Sequence, residues 1–162
     1  MHLTALLQIL ILLTVANATP VIAKRILGNR FAYPVDGNIT LYDGRPLFGP
    51  SKTVRGLLLA LVVTAAAAPL LGLDVTIGLV VGATAMAGDL LSSFIKRRLG
   101  FPPSSRATGL DQIPEVLFPL LACQTALGLG VIEIAAGVVI FLLGGILISR
   151  VLFRLRLRDR PY

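Results

Sequence analysis

The sequence predicts an all-α integral membrane protein of five transmembrane helices, with two cytoplasmic loops forming its site. Three observations predict it. Of the 162 residues, 56% are hydrophobic and 14% charged, and mean hydropathy is +0.87, whereas soluble domains carry about 25% charged residues. Apolar runs of spanning length alternate with short charged segments, as crossing about 30 Å of hydrocarbon with roughly 20 residues requires. All fifteen Lys and Arg fall in three segments that a five-span chain places on one side.

The first helix is predicted over 3–23, the second over 57–73 and the third over 75–95, the last two separated by a turn at Gly72 and Asp74. From 113 to 153 the chain stays apolar, which as one helix is about twice as long as the bilayer core is thick. Gly128 and Gly130 mark the fold-back, giving helices over 113–129 and 131–152. With no internal repeat or low-complexity linker, 1–162 reads as a single transmembrane domain. The stretch 3–15 followed by Ala16, Asn17 and Ala18 shares the apolar core and small residues of a cleavable leader. Its positive charges, Lys24 and Arg25, follow rather than precede it, so it reads as a retained helix with its amino end outside.

Six basic residues lie between the first two helices, four after the third and five in the tail; the opposite side, with Asp74 and Glu133, has none. By the positive-inside tendency the basic side is the cytoplasm, so the protein is expected in the cell membrane, multi-pass, with its site facing inward. Net charge is +7, which in a membrane protein speaks to orientation and to anionic headgroups or phosphates rather than to nucleic acid. Cys123 is the single cysteine, so no internal disulfide or thiolate cluster forms. No feature specifies an oligomeric state.

Polar residues within spans are costly and therefore functional candidates. Gly78, Gly82, Ala85, Asp89, Ser92 and Lys96 recur at steps of four and three on one face of the third helix, with Ser93 beside them. Gly78 and Gly82 form a GxxxG pair for close helix approach. Asp89, two turns short of Lys96, lies roughly 10 Å inside the boundary; a packing role beside a helix-end cation is the bland alternative. Asn17 sits at nearly the same depth and faces either a shared cavity or an interhelical hydrogen bond near Pro20.

The first loop ends Gly49-Pro-Ser-Lys-Thr53, then Arg55 at the start of the second helix: flexible backbone, hydroxyls, an ammonium and a guanidinium suited to phosphates. Lys52 comes three residues after Gly49, so this is not a Walker A loop. The second loop brings Asp111 and Gln112 to the mouth of the fourth helix, where Asp111 is either a helix cap or a partner of Asp89. Two carboxylates ringed by Lys and Arg at a membrane boundary suit magnesium-nucleotide phosphoryl chemistry.

Asn17-Ala-Thr-Pro20, Pro34-Val-Asp-Gly37, Asp43-Gly-Arg45, Gly49-Pro-Ser-Lys-Thr-Val-Arg-Gly56, Gly88-Asp-Leu-Leu-Ser-Ser-Phe-Ile-Lys-Arg-Arg-Leu-Gly100 and Leu110-Asp-Gln112 resemble, in order, the pattern of CDP-archaeol synthases, which belong with the phosphatidate cytidylyltransferases. The resemblance implies a five-helix fold and transfer of a cytidylyl group from CTP to a membrane lipid phosphate, giving CDP-lipid and pyrophosphate. It implies that Asp89 and Asp111 hold Mg2+, that Lys52, Arg55, Lys96 and Arg97 neutralise the phosphates, and that Ser51, Ser92 and Gln112 are nearby polar contacts. The expected mechanism is direct in-line attack by the lipid phosphate, an anionic nucleophile that needs no general base. The chain departs from the family pattern after Gln112: the acidic residue expected two positions beyond the Asp-Gln pair is absent, and Pro114 and Glu115 follow instead. Either Glu115 takes that role or fewer carboxylates serve. The competing class is a non-catalytic membrane module binding anionic lipid headgroups, which leaves Asp89 unexplained. A CDP-alcohol phosphotransferase would need a four-aspartate array that is absent here.

Overall fold

The computed structural model describes residues 3–103, 105, 107 and 109–154, with side chains as far as residue 147. His2, Arg106 and the tail residues Arg156, Arg158 and Arg160 lie outside the described residues. The chain forms α1 (Leu3–Leu27), α2 (Val54–Ala67) with a following 3-10 turn (Pro69–Leu71), α3 (Val75–Arg98), α4 (Gln112–Ala122), α5 (Gln124–Leu127) and α6 (Val131–Arg154). Two isolated β-bridges, Pro34 with Thr53 and Thr40 with Pro46, lie in the loop between α1 and α2.

By length and composition α1, the α2 segment Val54–Leu71, and α3 are long and apolar enough to cross a membrane; α4 and the stretch Val131–Leu147 of α6 are shorter apolar helices. Leu58, Val62, Leu79, Val139 and Leu143 are exposed on the outer faces of the helices. Apolar side chains turned outward suit a bundle whose solvent is lipid rather than water. The chain is a multi-pass membrane protein.

Local chemistry sets the helix ends. The second helix starts at Val54, earlier than the predicted residue 57, because the Thr53 hydroxyl caps it by accepting the Gly56 N–H at 3.2 Å. It stops at Ala67, short of 73, where Pro69 turns the chain into a 3-10 segment ended by Gly72 at φ 75°. The fourth helix, predicted without a break over 113–129, is interrupted at Cys123 (φ −94°, ψ 2°). Pro119 within it lacks the N–H that would close a turn onto Glu115, and the single turn α5 then ends at Gly128.

The core runs along α1, whose Leu6, Ile9, Leu13 and Ala16 are buried at helical spacing and which touches α2, α3, α4 and α6. Two glycine contacts draw the other helices together. A Cβ on Gly78 would lie 2.6 Å from the Thr64 carbonyl oxygen and 2.8 Å from the Ala65 Cα, so the GxxxG face of α3 is the seat of α2. One on Gly88 would lie 2.5 Å from the Pro114 carbonyl carbon and 2.7 Å from the Glu115 nitrogen. The first turn of α4 therefore lies directly against α3, one residue before Asp89.

Candidate active site

The loop from Gly28 to Thr53 is a built structure rather than a tether. Asp36 is buried, and its carboxylate accepts the backbone N–H of Phe48 and Gly49, both at 2.9 Å, and of Asn38 at 3.1 Å. Burial by itself favours the neutral carboxyl, but these N–H donors outweigh it and hold Asp36 below the usual carboxylate range. Gly49, at φ +96°, occupies a backbone region closed to most side chains. The Val35 N–H donates to the Lys52 carbonyl at 2.8 Å and the Val54 N–H to the Tyr33 carbonyl at 2.9 Å, which fixes where Lys52 leaves the loop.

A reciprocal clasp binds this loop to the end of α3. Arg45 donates to the Arg98 carbonyl at 2.6 Å, one of those a helix end leaves without an intrahelical donor, and at 3.4 Å to that of Arg97, which also accepts the Gly100 N–H. Arg98 answers with Asp43 at 2.5 Å and the Pro46 carbonyl at 2.6 Å, its guanidinium lying 5.4 Å from the Phe94 ring centre.

So held, Lys52 reaches α3 with its ammonium 2.6 Å from both carboxylate oxygens of Asp89. Glu115 on α4 lies within hydrogen-bonding reach of Asp89 and in the field of Lys52 and Asp111. Its carboxylate also accepts the Asn17 amide of α1 at 3.0 Å. Three helices and one loop thus meet at Asp89. A second pair stands at the same end of the bundle: Lys96 lies 2.6 Å from Asp111 Oδ1 and donates to the Ser105 carbonyl at 2.8 Å, while Asp111 Oδ2 accepts the Ala107 N–H at 2.8 Å. Beside it Arg97 is 3% exposed, in the field of Asp111, and its Nε and Nη1 have no hydrogen-bond partner among the described residues. Buried charged groups are ordinarily paired, and a guanidinium is shaped to donate to carboxylate or phosphate oxygens.

Known proteins resemble this chain in sequence and in fold. The CarS-like family model, CDP-archaeol synthase, matches residues 65–162. The CDP-archaeol synthase of Sulfurisphaera tokodaii is 36% identical over 135 residues, covering 80% of this chain and 81% of that one. The one from Aeropyrum pernix is 35% identical over 149 residues, covering 80% and 82%. The chain belongs to the CDP-archaeol synthase family. A solved structure of an intramembrane enzyme for archaeal membrane lipids biosynthesis superposes with a TM-score of 0.76 at 32% identity, covering 88% of this chain and 90% of that one.

In this CDP-archaeol synthase family member the residues singled out from sequence divide into two groups. Asn17, Lys52, Asp89, Lys96, Arg97 and Asp111 gather at one end of the bundle through the contacts above. Arg55, expected among the phosphate-facing cations, donates to the Gly28 carbonyl at 3.2 Å and to that of Arg30, tying the start of α2 to the turn after α1. Ser51 is exposed. Ser92 is buried and donates back to the Asp89 carbonyl at 2.9 Å, as a helical serine with no freer acceptor does. Gln112 is buried toward α6, its amide nitrogen 2.6 Å from where a Cβ on Gly145 would stand. Asp111 occupies the N-cap position of α4 but makes no side-chain cap, its carboxylate being engaged by Lys96 and Ala107.

Sequence reasoning assigned no role to Asp36 or Arg98 and left that of Glu115 open. An Asp before Gly with Asn38 two residues on is the signature of an Asx turn, which could have marked Asp36. Nothing local marks the other two. Among the described residues no three His, Cys, Asp or Glu side chains are grouped as a metal cage. Asp89 and Asp111 nonetheless supply hard carboxylate oxygens, and magnesium is characteristically held by one or two carboxylates, water and substrate phosphates rather than by an all-protein cage.

Proposed function

We propose that this chain transfers a cytidylyl group from CTP to a membrane lipid phosphate of the archaetidic or phosphatidic acid type, releasing pyrophosphate and giving CDP-lipid for phospholipid biosynthesis. Family membership makes it a CTP-dependent lipid cytidylyltransferase. The observation that carries the site assignment is the pairing of Lys52 with Asp89 and Lys96 with Asp111 at one end of an apolar bundle, beside the buried guanidinium of Arg97. A module that only held headgroups would need the cations but not two carboxylates, one of them within a spanning helix.

Arg97 and Lys96 receive the triphosphate, and Lys52 neutralises charge as it builds toward the leaving pyrophosphate. A lipid phosphate oxygen attacks the α-phosphorus in line; the new O–P bond forms as the bond to the bridging β-phosphate oxygen breaks. No general base is required, because a phosphate monoester is already anionic near neutral pH. Asp89 and Asp111 would hold Mg2+, which when bound supplies charge neutralisation on the phosphates. Asn17 and Glu115 keep Asp89 in place. Ser51, Arg55, Ser92 and Gln112 shape the surroundings.

The arrangement across the membrane follows from the charges: five spans over the single domain 1–162, amino end outside, the two basic loops and the site on the cytoplasmic face. The decisive experiment incubates the purified protein in lipid nanodiscs with labelled CTP, Mg2+ and a panel of lipid phosphates. Label should pass into the lipid fraction as CDP-lipid with stoichiometric pyrophosphate. Binding of anionic lipid without any such product, whatever the lipid phosphate, would return the chain to the headgroup-binding class.

A further inference from the structure

The two lysine–aspartate pairs are not equivalent. Lys96 belongs to the last turn of α3, its side chain is 9% exposed, and its ammonium is held by the Ser105 carbonyl as well as by Asp111. Lys52 comes from a loop and its side chain is 22% exposed. Among the described residues its ammonium hydrogen-bonds to Asp89 alone, at both oxygens. Lys96 is held by two residues; Lys52 hydrogen-bonds to one, with Glu115 of α4 close by.

The Lys52 contact covers the Asp89 oxygens a hard cation would use. An ammonium and a divalent ion on the same carboxylate repel at close range in a partly desolvated site, so one must leave for the other to bind. An ammonium withdrawn from Asp89 needs another anion, because an uncompensated charge at a membrane boundary is costly. A guanidinium suited to such an anion is adjacent. Arg97 is buried, its Nε and Nη1 without a hydrogen-bond partner among the described residues, and its Cδ is 3.9 Å from where a Cβ on Gly49 would stand, three residues before Lys52. A triphosphate seated on Arg97 therefore lies within the sweep of a lysine side chain rooted at Lys52.

We infer that Lys52 is a displaceable counter-cation: it closes Asp89 to divalent cations in the nucleotide-free protein and moves to the phosphates when nucleotide binds, so that metal binding is conditional on nucleotide. The inference rests on the cytidylyltransferase reading and deepens it, giving Lys52 a role before chemistry as well as during it. By linkage, a nucleotide that removes a competitor of the metal must raise metal affinity, and the metal must raise nucleotide affinity by the same factor.

The test is a Mn2+ titration of the full chain in detergent, followed by electron paramagnetic resonance, with and without the non-reactive α,β-methylene analogue of CTP. Wild type should bind free Mn2+ weakly, and about tenfold or more tightly with the analogue present. Lys52→Gln should bind Mn2+ about tenfold more tightly than wild type without nucleotide, and lose most of the enhancement by analogue. Lys52→Ala should behave alike, and Arg25→Ala should match wild type in every arm. Melting curves establish that each variant is folded; should either Lys52 variant fail to fold, the wild-type enhancement still decides. Unchanged nucleotide-free affinity in both folded Lys52 variants, or equal Mn2+ affinity of wild type with and without the analogue, would overturn the inference. CDP-lipid formation by the same wild-type preparation is measured alongside, so a protein that makes CDP-lipid but shows no coupling defeats this inference alone.

Discussion

Lys52 and Asp89, separated by 37 residues in sequence, are joined by an ammonium that lies 2.6 Å from each carboxylate oxygen. One partner belongs to a polar loop and the other to an apolar helix, so the pair fixes the loop against the bundle and sets a charge of each sign side by side.

Asp89→Asn should abolish CDP-lipid formation while leaving the protein folded. The amide keeps size and shape and leaves one oxygen to accept from the Lys52 ammonium, so a residue that served only to hold the loop would retain much of its function. If Asp89 serves the reaction, turnover should fall about a thousandfold or more. Asp111→Asn should act alike, and the double variant should be little worse than either single, since groups acting as a unit are not additive. Label transferred from CTP, read beside a melting curve, checks this; near-normal turnover in Asp89→Asn would remove it from the site.

Gly88→Ala should harm both stability and activity. The added methyl meets the Pro114 and Glu115 backbone at 2.5 and 2.7 Å, and backbone cannot rotate aside as a side chain can. Overpacking of this kind costs about 1–3 kcal/mol and parts Glu115 from Asp89. Gly144→Ala, where a Cβ meets nothing within 4 Å, should be neutral or slightly stabilising. Thermal midpoints and turnover of the two variants, measured together, make the comparison.

Arg97 and Arg55 should separate in kinetics although both were expected to face phosphates. Arg97→Ala removes two buried donors without a hydrogen-bond partner among the described residues and should lower kcat/KM for CTP about 10- to 100-fold, the worth of charge-assisted hydrogen bonds. Arg55→Ala removes bonds to the Gly28 and Arg30 carbonyls and should lower the melting temperature while leaving kcat/KM within a few-fold of wild type. The opposite ranking would place Arg55 in the site.

Loop docking should be lost in acid and not in alkali. The folded Asp36 carboxyl is held below its ordinary value, so its stabilisation is fully present above the unfolded value of about 4 and is lost as pH falls through the lower folded value. Protection of the Phe48 and Gly49 amides from hydrogen exchange, compared at matched intrinsic rates, should hold from pH 8 to pH 5. Asp36→Asn should reduce it at every pH, and with it turnover, because Gly49 leads directly to Lys52. Unaltered protection in that variant would show that Asp36 does not organise the loop.

In a background with Cys123 replaced by Ser, cysteines placed at Arg30 and Arg106 should react with impermeant thiol reagents only from the cytoplasmic side, and one at Asp74 only from outside. Reaction of Arg30 and Arg106 variants from opposite faces would separate the two loops assigned to one site and end the five-span arrangement.

The sequence alone determined the class of the protein and the small, polar face of α3, because hydropathy and helical period are local properties that survive whatever the rest of the chain does. It placed Gly78, Gly82, Asp89 and Lys96 on one face, and Gly78 and Gly82 indeed meet α2 while Asp89 and Lys96 meet loop residues. It also marked Lys52 and Asp111 as chemically suitable. Only the tertiary structure decided which lysine pairs with which carboxylate, since each pairing closes a loop whose path depends on contacts elsewhere. Asp36 sets the turn that aims Lys52, and Arg45 and Arg98 lock that turn to α3. Arg55 reads as a phosphate ligand by composition, and the tertiary structure gives its guanidinium the Gly28 and Arg30 carbonyls of the turn that follows α1. Glu115 joins Asp89 through the gap left by Gly88, a contact between two helices that no spacing within either one encodes.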